Sequence, residues 1–233
     1  MKLVIFDIDG TLTQTSYVDS ICFVRAIAET HQLTVDESDW ADCPHVSDTG
    51  VVHHIFQRRL GRTPHNQDED LIKNRLVSLL EEQRKIDRTY FAEIPGARAM
   101  LDRLKRKSDW QRAIATGCWQ RSAELKLKAA SLDYGELPGG FAEDGIARET
   151  IVSAAIARSI SHYQRQVFDR IVSIGDGVWD VQTASALGLA FIGIASGERA
   201  AALASAGAKH VIPDFEDADR FFALLEAAEV PGG

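Results

Sequence analysis

The sequence predicts an α/β protein built on a doubly wound parallel sheet, with an all-helical segment inserted near its start. Three observations carry this prediction: short apolar runs without alternation, helical patterns between those runs, and one long stretch that has no strand pattern. Apolar runs of this kind are typical of parallel strands that are covered by helices on both faces. Strands that alternate with helices favour a doubly wound sheet.

Five short segments are predicted as buried strands, because each is a continuous run of apolar or β-branched residues. They are Leu3–Phe6, Arg112–Ala115, Ile171–Gly175, Ala190–Ala195 and Lys209–Ile212. The first of them lies in the N-terminal stretch MKLVIFDIDG, where Asp7 soon interrupts the apolar run and no small-residue cleavage site follows. We therefore expect a strand there and not a signal peptide.

Helical patterns separate these strands. Ala97, Met100, Leu101 and Leu104 recur with helical spacing and predict a helix that has Pro95 at its first position. Two further helices are predicted at about residues 149–161 and 216–228.

Residues 15–90 break the alternation, because they contain no convincing strand and three amphipathic patterns. A stretch of about 75 residues is far too long for a βα loop of about 2–6 residues. We therefore expect a helical cap domain at 15–90 and an α/β core domain formed by 1–14 and 91–233. Turn signals at Asp42-Cys43-Pro44 and Gly61-Arg62-Thr63-Pro64 separate the three helices.

Composition narrows the classes of partner and compartment. The 233 residues include 26 Lys+Arg and 34 Asp+Glu, and a net charge of -8 makes a nucleic-acid partner a poor expectation. No apolar run approaches the roughly 20 residues that span a bilayer, so no membrane association is expected. The three cysteines, Cys22, Cys43 and Cys118, are scattered and form no CxxC. An odd, unpaired set indicates a reducing and therefore cytoplasmic setting, without a zinc site.

The strongest chemical signal is Asp7-Ile8-Asp9-Gly10-Thr11-Leu12-Thr13, at the carboxyl end of the first predicted strand. Ligands of open α/β sheets bind outside the carboxyl ends of the strands. Two carboxylates at this point both face that crevice, and Gly10 allows the sharp turn that follows. An Asp/Gly turn alone would explain one of the two aspartates but not both.

A second acidic group, Asp176 and Asp180 in the run GDGVWD, follows another predicted strand. Carboxylate oxygens suit Mg²⁺, which usually takes one or two carboxylates together with substrate phosphate. By itself this run fits a helix cap as well as a metal site. Together with Asp7 and Asp9 it favours a magnesium site.

The third element is Thr116-Gly117, at the end of the second predicted strand. A hydroxyl group and free backbone N–H groups at a helix N-terminus form a cradle for phosphate. A threonine at such a position is also a common helix N-cap, so the element is informative only beside the two acidic motifs.

In these motifs and in their order, the chain resembles the phosphatases of the haloacid dehalogenase superfamily. The resemblance implies a Rossmann-like core with a helical cap of the C1 type. It implies that Asp7 is the nucleophile, which forms an aspartyl-phosphate, and that Asp9 is the general acid and base. It also implies a Mg²⁺ ion held by Asp7, the main-chain carbonyl of Asp9, Asp176 and Asp180. Dehalogenase members lack an acid at the position of Asp9, so its presence favours phosphate chemistry.

One residue departs from the pattern of that family. The third motif is usually a lysine, and here the best match is Arg148, which would hold phosphate together with Thr116 and Gly117. An arginine stays charged and binds phosphate with two hydrogen bonds, but it does not replace a lysine one for one. Lys126 and Lys128 are alternatives, although both lie in mid-helix and too early in the chain.

The resemblance implies a Mg²⁺-dependent phosphatase that acts on a small phosphorylated metabolite, with phosphoglycolate-like esters as one candidate class. A phosphomutase of the same superfamily and a non-catalytic phospho-receiver or binding domain are the alternatives. We expect a monomer or a homodimer. Asp48-Thr49-Gly50 opens a predicted cap helix and presents either polar groups for the leaving group or a simple N-cap. Trp179, between the acidic pair, is expected to pack beneath the site.

Overall fold

The computed structural model describes residues 1–36, 39, 43–132, 135 and 137–232. Within these residues, six strands form one sheet in which every pairing is parallel. The strands are β1 (Lys2–Phe6), β2 (Trp110–Ala115), β3 (Gly139–Gly140), β4 (Arg170–Gly175), β5 (Ala190–Ile194) and β6 (Val211–Ile212).

The strand order across the sheet is β3-β2-β1-β4-β5-β6. The chain thus builds outwards from β1 in one direction, returns, and continues from β4 in the other direction, which is the order of a doubly wound sheet. Phe6 pairs with Ile114 on one side and with Ile174 on the other, so β1, β2 and β4 end level with one another. The predicted fold class is confirmed.

Nine α-helices lie within the described residues, together with short 3-10 turns at Arg88–Phe91 and Ala142–Asp144. The helices are α1 (Ser16–His31), α2 (Asp48–Leu60), α3 (Asn66–Ile86), α4 (Ala97–Lys105), α5 (Gln120–Ala129), α6 (Arg148–His162), α7 (Val178–Ala186), α8 (Gly197–Ser205) and α9 (Ala218–Ala227).

Three details differ from the sequence-based expectations. Strand β3 was not predicted, because two glycines carry no apolar pattern. The prediction of Pro95 as the first helical residue is wrong, since α4 begins only at Ala97 after a turn at Pro95 and Gly96. The last predicted strand is shorter than expected and begins at Val211, not Lys209.

The two faces of the sheet are covered by separate sets of helices. Val4 and Phe6 pack with α4, α5 and α9 on one face, while Leu3 and Ile5 pack with α6, α7 and α8 on the other. All four side chains are at most 1% exposed. This burial on both faces explains why β1 is a continuous apolar run.

Helices α1, α2 and α3, which we call the helical insert, have an apolar core of their own. That core also takes in Trp119 at the start of α5, so the insert rests on the sheet domain beside the end of β2. The predicted turn at Gly61–Pro64 does separate α2 from α3, whereas Asp42 of the other predicted turn lies outside the described residues. Within the described chain, no helix combines the length and apolar character required to cross a bilayer.

Candidate active site

A pocket of about 480 Å³ lies between the carboxyl ends of the central strands and the helical insert. It brings together the site residues that the sequence predicted, with the exception of Asp180, which lies directly behind its wall. The predicted residues that line it are Asp7, Asp9, Thr116, Gly117, Arg148 and Asp176. Because β1, β2 and β4 end level with one another, motifs far apart in the chain meet at one edge of the sheet.

Three carboxylates form the first group of charges in the pocket, the Asp7 cluster. Asp7 follows β1, while Asp176 and Asp180 follow β4, and one oxygen of each lies within 4.8 Å of the others. Oδ1 of Asp7 is buried and has no hydrogen-bond partner. An unsatisfied buried carboxylate oxygen next to two further carboxylates is the donor set of a hard divalent cation, so these residues fit Mg²⁺.

Burial raises the pKa of each member of the Asp7 cluster, and neighbouring carboxylates raise the pKa values of Asp7 and Asp176 further. Burial raises the pKa of Asp7 well above its usual range, and Asp180 raises it further, while Arg148 lowers it. Burial and the neighbouring Asp180 raise the pKa of Asp176 to about 7. For Asp7 and Asp176, burial and the repulsion between carboxylates therefore outweigh the attraction of the neighbouring Arg148 and Arg199.

Gly10 allows the two acidic motifs to approach each other. Its backbone has a φ of +76°, in the left-handed region that favours glycine, and a Cβ there would lie 2.0 Å from Oδ2 of Asp176. The glycine of the first motif is thus required by the side chain of the last one.

Arg148 is the first residue of α6 and points its guanidinium group at the Asp7 cluster. Nη1 lies 3.2 Å from Oδ1 of Asp180 and 3.8 Å from Oδ1 of Asp7, and Nε donates to the carbonyl of Val46 at 3.0 Å. Burial lowers the pKa of Arg148, but Asp180 and Asp7 raise it by more, so the side chain stays charged. The structure therefore brings this residue, and neither lysine alternative, to Asp7.

Trp179 does not pack beneath the site. The guanidinium carbon of Arg148 lies 5.7 Å from the centre of its ring, and the side chain lines the pocket with the residue 37% exposed. The reason is the direction of α7, whose second residue faces the mouth of the pocket while Asp180, one position later, faces inwards.

The loop after β2 joins the phosphate-cradle candidates to the helical insert. Oγ1 of Thr116 accepts a hydrogen bond from the N–H of Cys118 at 3.3 Å, and the carbonyl of Gly117 accepts one from the N–H of Asp48 at 2.7 Å. A Cβ on Gly117 would lie 2.9 Å from the carbonyl oxygen of Val46 and 3.2 Å from Nη2 of Arg148. Glycine at this position lets α2 approach the loop.

Asp48 contacts the loop after β2 and also lines the pocket. Its Oδ2 accepts a hydrogen bond from the N–H of Trp119 at 2.9 Å, and the residue also lines the pocket. The N-cap of α2 is Ser47, whose side chain accepts from the N–H of Gly50. Thr49 is turned away, because its hydroxyl group donates to the carbonyl of Ala142 and accepts from Nε1 of Trp119.

Asp9 belongs to a second group of charges, which we call the Asp9 cluster. Its Oδ1 accepts a hydrogen bond from Thr15, and its Oδ2 accepts from Nζ of Lys126 at 2.6 Å and from Sγ of Cys118 at 2.8 Å. Nζ of Lys126 also donates to Oδ1 of Asp19, on α1, at 2.7 Å. Burial raises the pKa of Asp9, but Lys126, Cys118 and Thr15 together lower it by more. Asp9 is therefore ionised in this arrangement.

Sequence reasoning missed two cations of the site. Lys126 was set aside as a residue in mid-helix, yet it is 0% exposed and contacts Asp9. A usable signal was its place on the apolar stripe of α5 with Ala123 and Leu127, since a lysine on a buried face needs a buried partner. Arg199, on α8, forms an ion pair with Asp176, and no motif in the sequence marks it.

The comparisons with known proteins identify the family of the chain. The chain is a hydrolase with a doubly wound α/β core, since a sequence model for haloacid dehalogenase-like hydrolases matches residues 1–188. The chain therefore belongs to the haloacid dehalogenase-like hydrolase family, as its motifs predicted. A search of curated proteins finds no significant match.

Solved structures show the same fold. A hydrolase from Pseudomonas syringae is 22% identical, with a TM-score of 0.72, and the match covers 96% of this chain and 98% of that one. A protein from Bacteroides vulgatus assigned as a β-phosphoglucomutase is 14% identical, with a TM-score of 0.66 and coverages of 97% and 89%. A predicted phosphoglycolate phosphatase from Haemophilus somnus is 15% identical, with a TM-score of 0.61 and coverages of 95% and 98%.

Proposed function

We propose that this protein is a Mg²⁺-dependent phosphatase that hydrolyses a small phosphate monoester through an aspartyl-phosphate on Asp7. The observation that carries the proposal is the buried Oδ1 of Asp7, which has no hydrogen bond and lies beside Asp176, Asp180 and the charged Arg148. A carboxylate oxygen without a hydrogen bond, next to a cationic side chain and ionised once a cation is bound, has the properties of a nucleophile for phosphorus.

The residues that would hold Mg²⁺ are Asp7, Asp176 and Asp180, with the main-chain carbonyl of Asp9. A bound Mg²⁺ ion would neutralise part of the charge on the phosphoryl group and lower the pKa values that crowding has raised. The same neutralisation keeps Asp7 in its charged form.

The chain's own residues would bind and orient the phosphoryl group. Arg148 provides two parallel donors, and Thr116 and Gly117, the latter next to Nη2 of Arg148, line the same pocket. Asp7 attacks phosphorus, the P–O bond to the leaving group breaks, and the new P–O bond joins phosphorus to Asp7. Phosphoryl transfer depends mainly on this positioning and charge neutralisation.

Asp9 would move the proton in both halves of the reaction. It protonates the leaving oxygen, and it then accepts a proton from the water that hydrolyses the aspartyl-phosphate. The resting side chain is ionised, which is the form required by the second half. An anionic phosphoryl group bound nearby raises the pKa of Asp9 and so favours the protonated form required by the first half.

The lining of the pocket supports a phosphatase over a phosphomutase. A mutase must hold a second phosphate, whereas the described residues that the helical insert and its neighbouring loop contribute include no lysine, arginine or histidine. These residues are Ser16, Asp19, Ser20, Phe23, Val46, Ser47, Asp48 and Val51. A phospho-receiver domain does not require an inserted helical segment over its site, so the insert favours a phosphatase over a receiver. We include cytoplasmic location in the proposal, since the three cysteines are free.

The test is release of inorganic phosphate from a panel of phosphorylated metabolites and an aryl phosphate, with Mg²⁺ and with chelator. We expect Asp7→Asn to lower kcat by about 10⁴-fold or more, because the nucleophile is removed. Asp70→Asn, an exposed position on α3, is the matched control and is expected to retain wild-type activity. Transfer to the same sugar without net release would instead favour the mutase, and a long-lived phospho-Asp7 would favour the receiver.

A further inference from the structure

Lys126 is a fully buried lysine whose three possible hydrogen bonds are all made inside the pocket wall. The side chain is 0% exposed. Its Nζ lies 2.6 Å from Oδ2 of Asp9, 2.7 Å from Oδ1 of Asp19 and 3.0 Å from Sγ of Cys118. An ammonium group has three N–H donors, so each of them has one partner. Charged lysines are almost never buried unless they are paired in this way.

The three partners of Lys126 have the geometry of a cation site. Ligand atoms of Asp9, Asp19 and Cys118 lie within 4.8 Å of one another, as do those of the Asp7 cluster. The ammonium group of Lys126 is bonded to all three, so the position that a metal ion would take is filled by the chain itself. In the Asp7 cluster, by contrast, Oδ1 of Asp7 has no hydrogen bond.

We propose that Lys126 is a positioning residue, whose ammonium group is the resident cation that fixes the Asp9 carboxylate in the pocket and ties it to Asp19 of the helical insert. The activity readout of this inference rests on the proposed phosphatase function. Asp9 itself touches the reacting oxygen, whereas Lys126 acts through Asp9.

The contacts of Asp9 explain why the lysine controls its position. Thr15 holds one carboxylate oxygen, and Lys126 and Cys118 hold the other, so the orientation of the group is fixed from both sides. Without the ammonium group, the carboxylates of Asp9 and Asp19 would face each other with no positive charge between them. Repulsion would then turn Asp9 away, and a displacement of about 1 Å at a reacting group costs about 10²-fold in rate.

The experiment compares Lys126→Met, which fills the space without charge, and Lys126→Ala, which empties it, with wild type. Lys128→Met is the matched control, since Lys128 is exposed on the same helix. At saturating Mg²⁺ we expect kcat to fall about 10²-fold in both Lys126 variants and to change less than about twofold in the control. Circular dichroism and melting temperature establish that each variant is folded.

Chemical rescue separates positioning from a merely structural role. Ethylammonium supplies an N–H₃⁺ group that fits the space opened by Lys126→Ala, and we expect it to raise kcat of that variant at least tenfold. Tetramethylammonium, which has no N–H donor, and the filled Lys126→Met variant are expected to show no rescue. A folded Lys126→Ala variant without rescue, or a Lys126→Met variant with kcat within threefold of wild type, would overturn the inference.

A second readout is independent of catalysis. Ethylammonium is expected to raise the melting temperature of Lys126→Ala but not that of wild type or Lys126→Met, because only the first has an empty cation position. If wild type releases no phosphate from any ester, the proposed function fails. The melting experiment then still decides whether Lys126 is the resident cation, since the absence of a selective shift contradicts it.

Discussion

Two clusters of buried charge lie side by side in the pocket, and they are balanced in different ways. In the Asp9 cluster, Lys126 contacts Asp9, Asp19 and Cys118 at hydrogen-bond distances. In the Asp7 cluster, Arg148 lies beside Asp7 and Asp180 but leaves Oδ1 of Asp7 without a hydrogen bond. One cluster is complete within the chain, and the other is incomplete.

The difference shows which of the two clusters can take up a further cation. The Asp9 cluster fixes geometry, because each of the three N–H donors of Lys126 already has a partner. In the Asp7 cluster, burial and then the neighbouring carboxylates raise the pKa values of Asp7 and Asp176, so a cation that enters is favoured. The predictions below test this contrast, beginning with the change of largest expected effect.

Removing Arg148, one of the two arginines that contact the Asp7 cluster, is expected to have the largest effect of the three changes. Arg148→Met should lower kcat/KM by about 10²- to 10³-fold, because a preorganised charge beside the phosphoryl group is lost. Arg148→Lys should retain more activity than Arg148→Met, since lysine keeps the positive charge and loses only the paired N–H donors of the guanidinium group. Arg158→Met, on the same helix and paired with Asp144, is the control in the phosphate-release assay. A threefold loss or less in Arg148→Met would contradict the comparison.

Replacing one carboxylate in each cluster sharpens the contrast in metal dependence. Asp180→Asn should raise the Mg²⁺ concentration for half-maximal activity by about 10- to 100-fold, because a group that holds or orients the ion is lost. Asp19→Asn should change that concentration by less than about twofold, since Asp19 bonds to Lys126 and not to the Asp7 cluster. Magnesium titrations of both variants measure this. Equal shifts in both would show that the two clusters act as one.

The smallest predicted effect is a pH dependence of stability in chelator. Burial and Asp180 raise the pKa of Asp176 to about 7 in the folded chain, from 3.8 in the unfolded chain. Folding then favours the protonated form, so this contribution is fully present below pH 3.8 and is lost as the pH rises to about 7. The melting temperature of wild type relative to Asp176→Asn should therefore fall by several degrees between pH 5 and pH 7 and level off above.

Added Mg²⁺ provides the control for that experiment. At pH 8 it should raise the melting temperature of wild type and leave Asp176→Asn nearly unchanged, since a ligand stabilises only the folded form that binds it. A melting-temperature difference that rises with pH would contradict the crowding of carboxylates in the Asp7 cluster.

The sheet was predictable from the sequence where burial on two faces leaves a continuous apolar run, as in β1 and β4. Strand β3 was not, because Gly139 and Gly140 are strand residues only through their pairing with Ile114 and Ala115. That pairing is a property of the assembled sheet. The helix start at Ala97 was also missed, because the spacing of apolar residues predicts the buried face of a helix but not its first residue.

The site residues differ in the same way. Asp7, Asp176 and Thr116 follow strands, and strand ends are visible in the sequence. The carboxylate partners of Lys126 can be found only in the folded structure, because Asp9 lies on the loop after β1 and Asp19 lies on α1 of the insert. Arg199 is an exposed arginine on a short helix, and its contact with Asp176 depends on how α8 sits beside β4.

The hydrogen bond from the N–H of Asp48 to the carbonyl of Gly117 has a consequence for engineering. Substrate preference is often altered by grafting the insert of one protein onto the sheet domain of another. This hydrogen bond joins main-chain groups, which every graft carries, but it forms only where Val46 can approach a glycine without a Cβ. A transplanted insert would therefore need the backbone conformation of residues 46–48 as well as its helices. In a recipient with a larger side chain at the position of Gly117, that side chain would clash with the carbonyl oxygen of Val46.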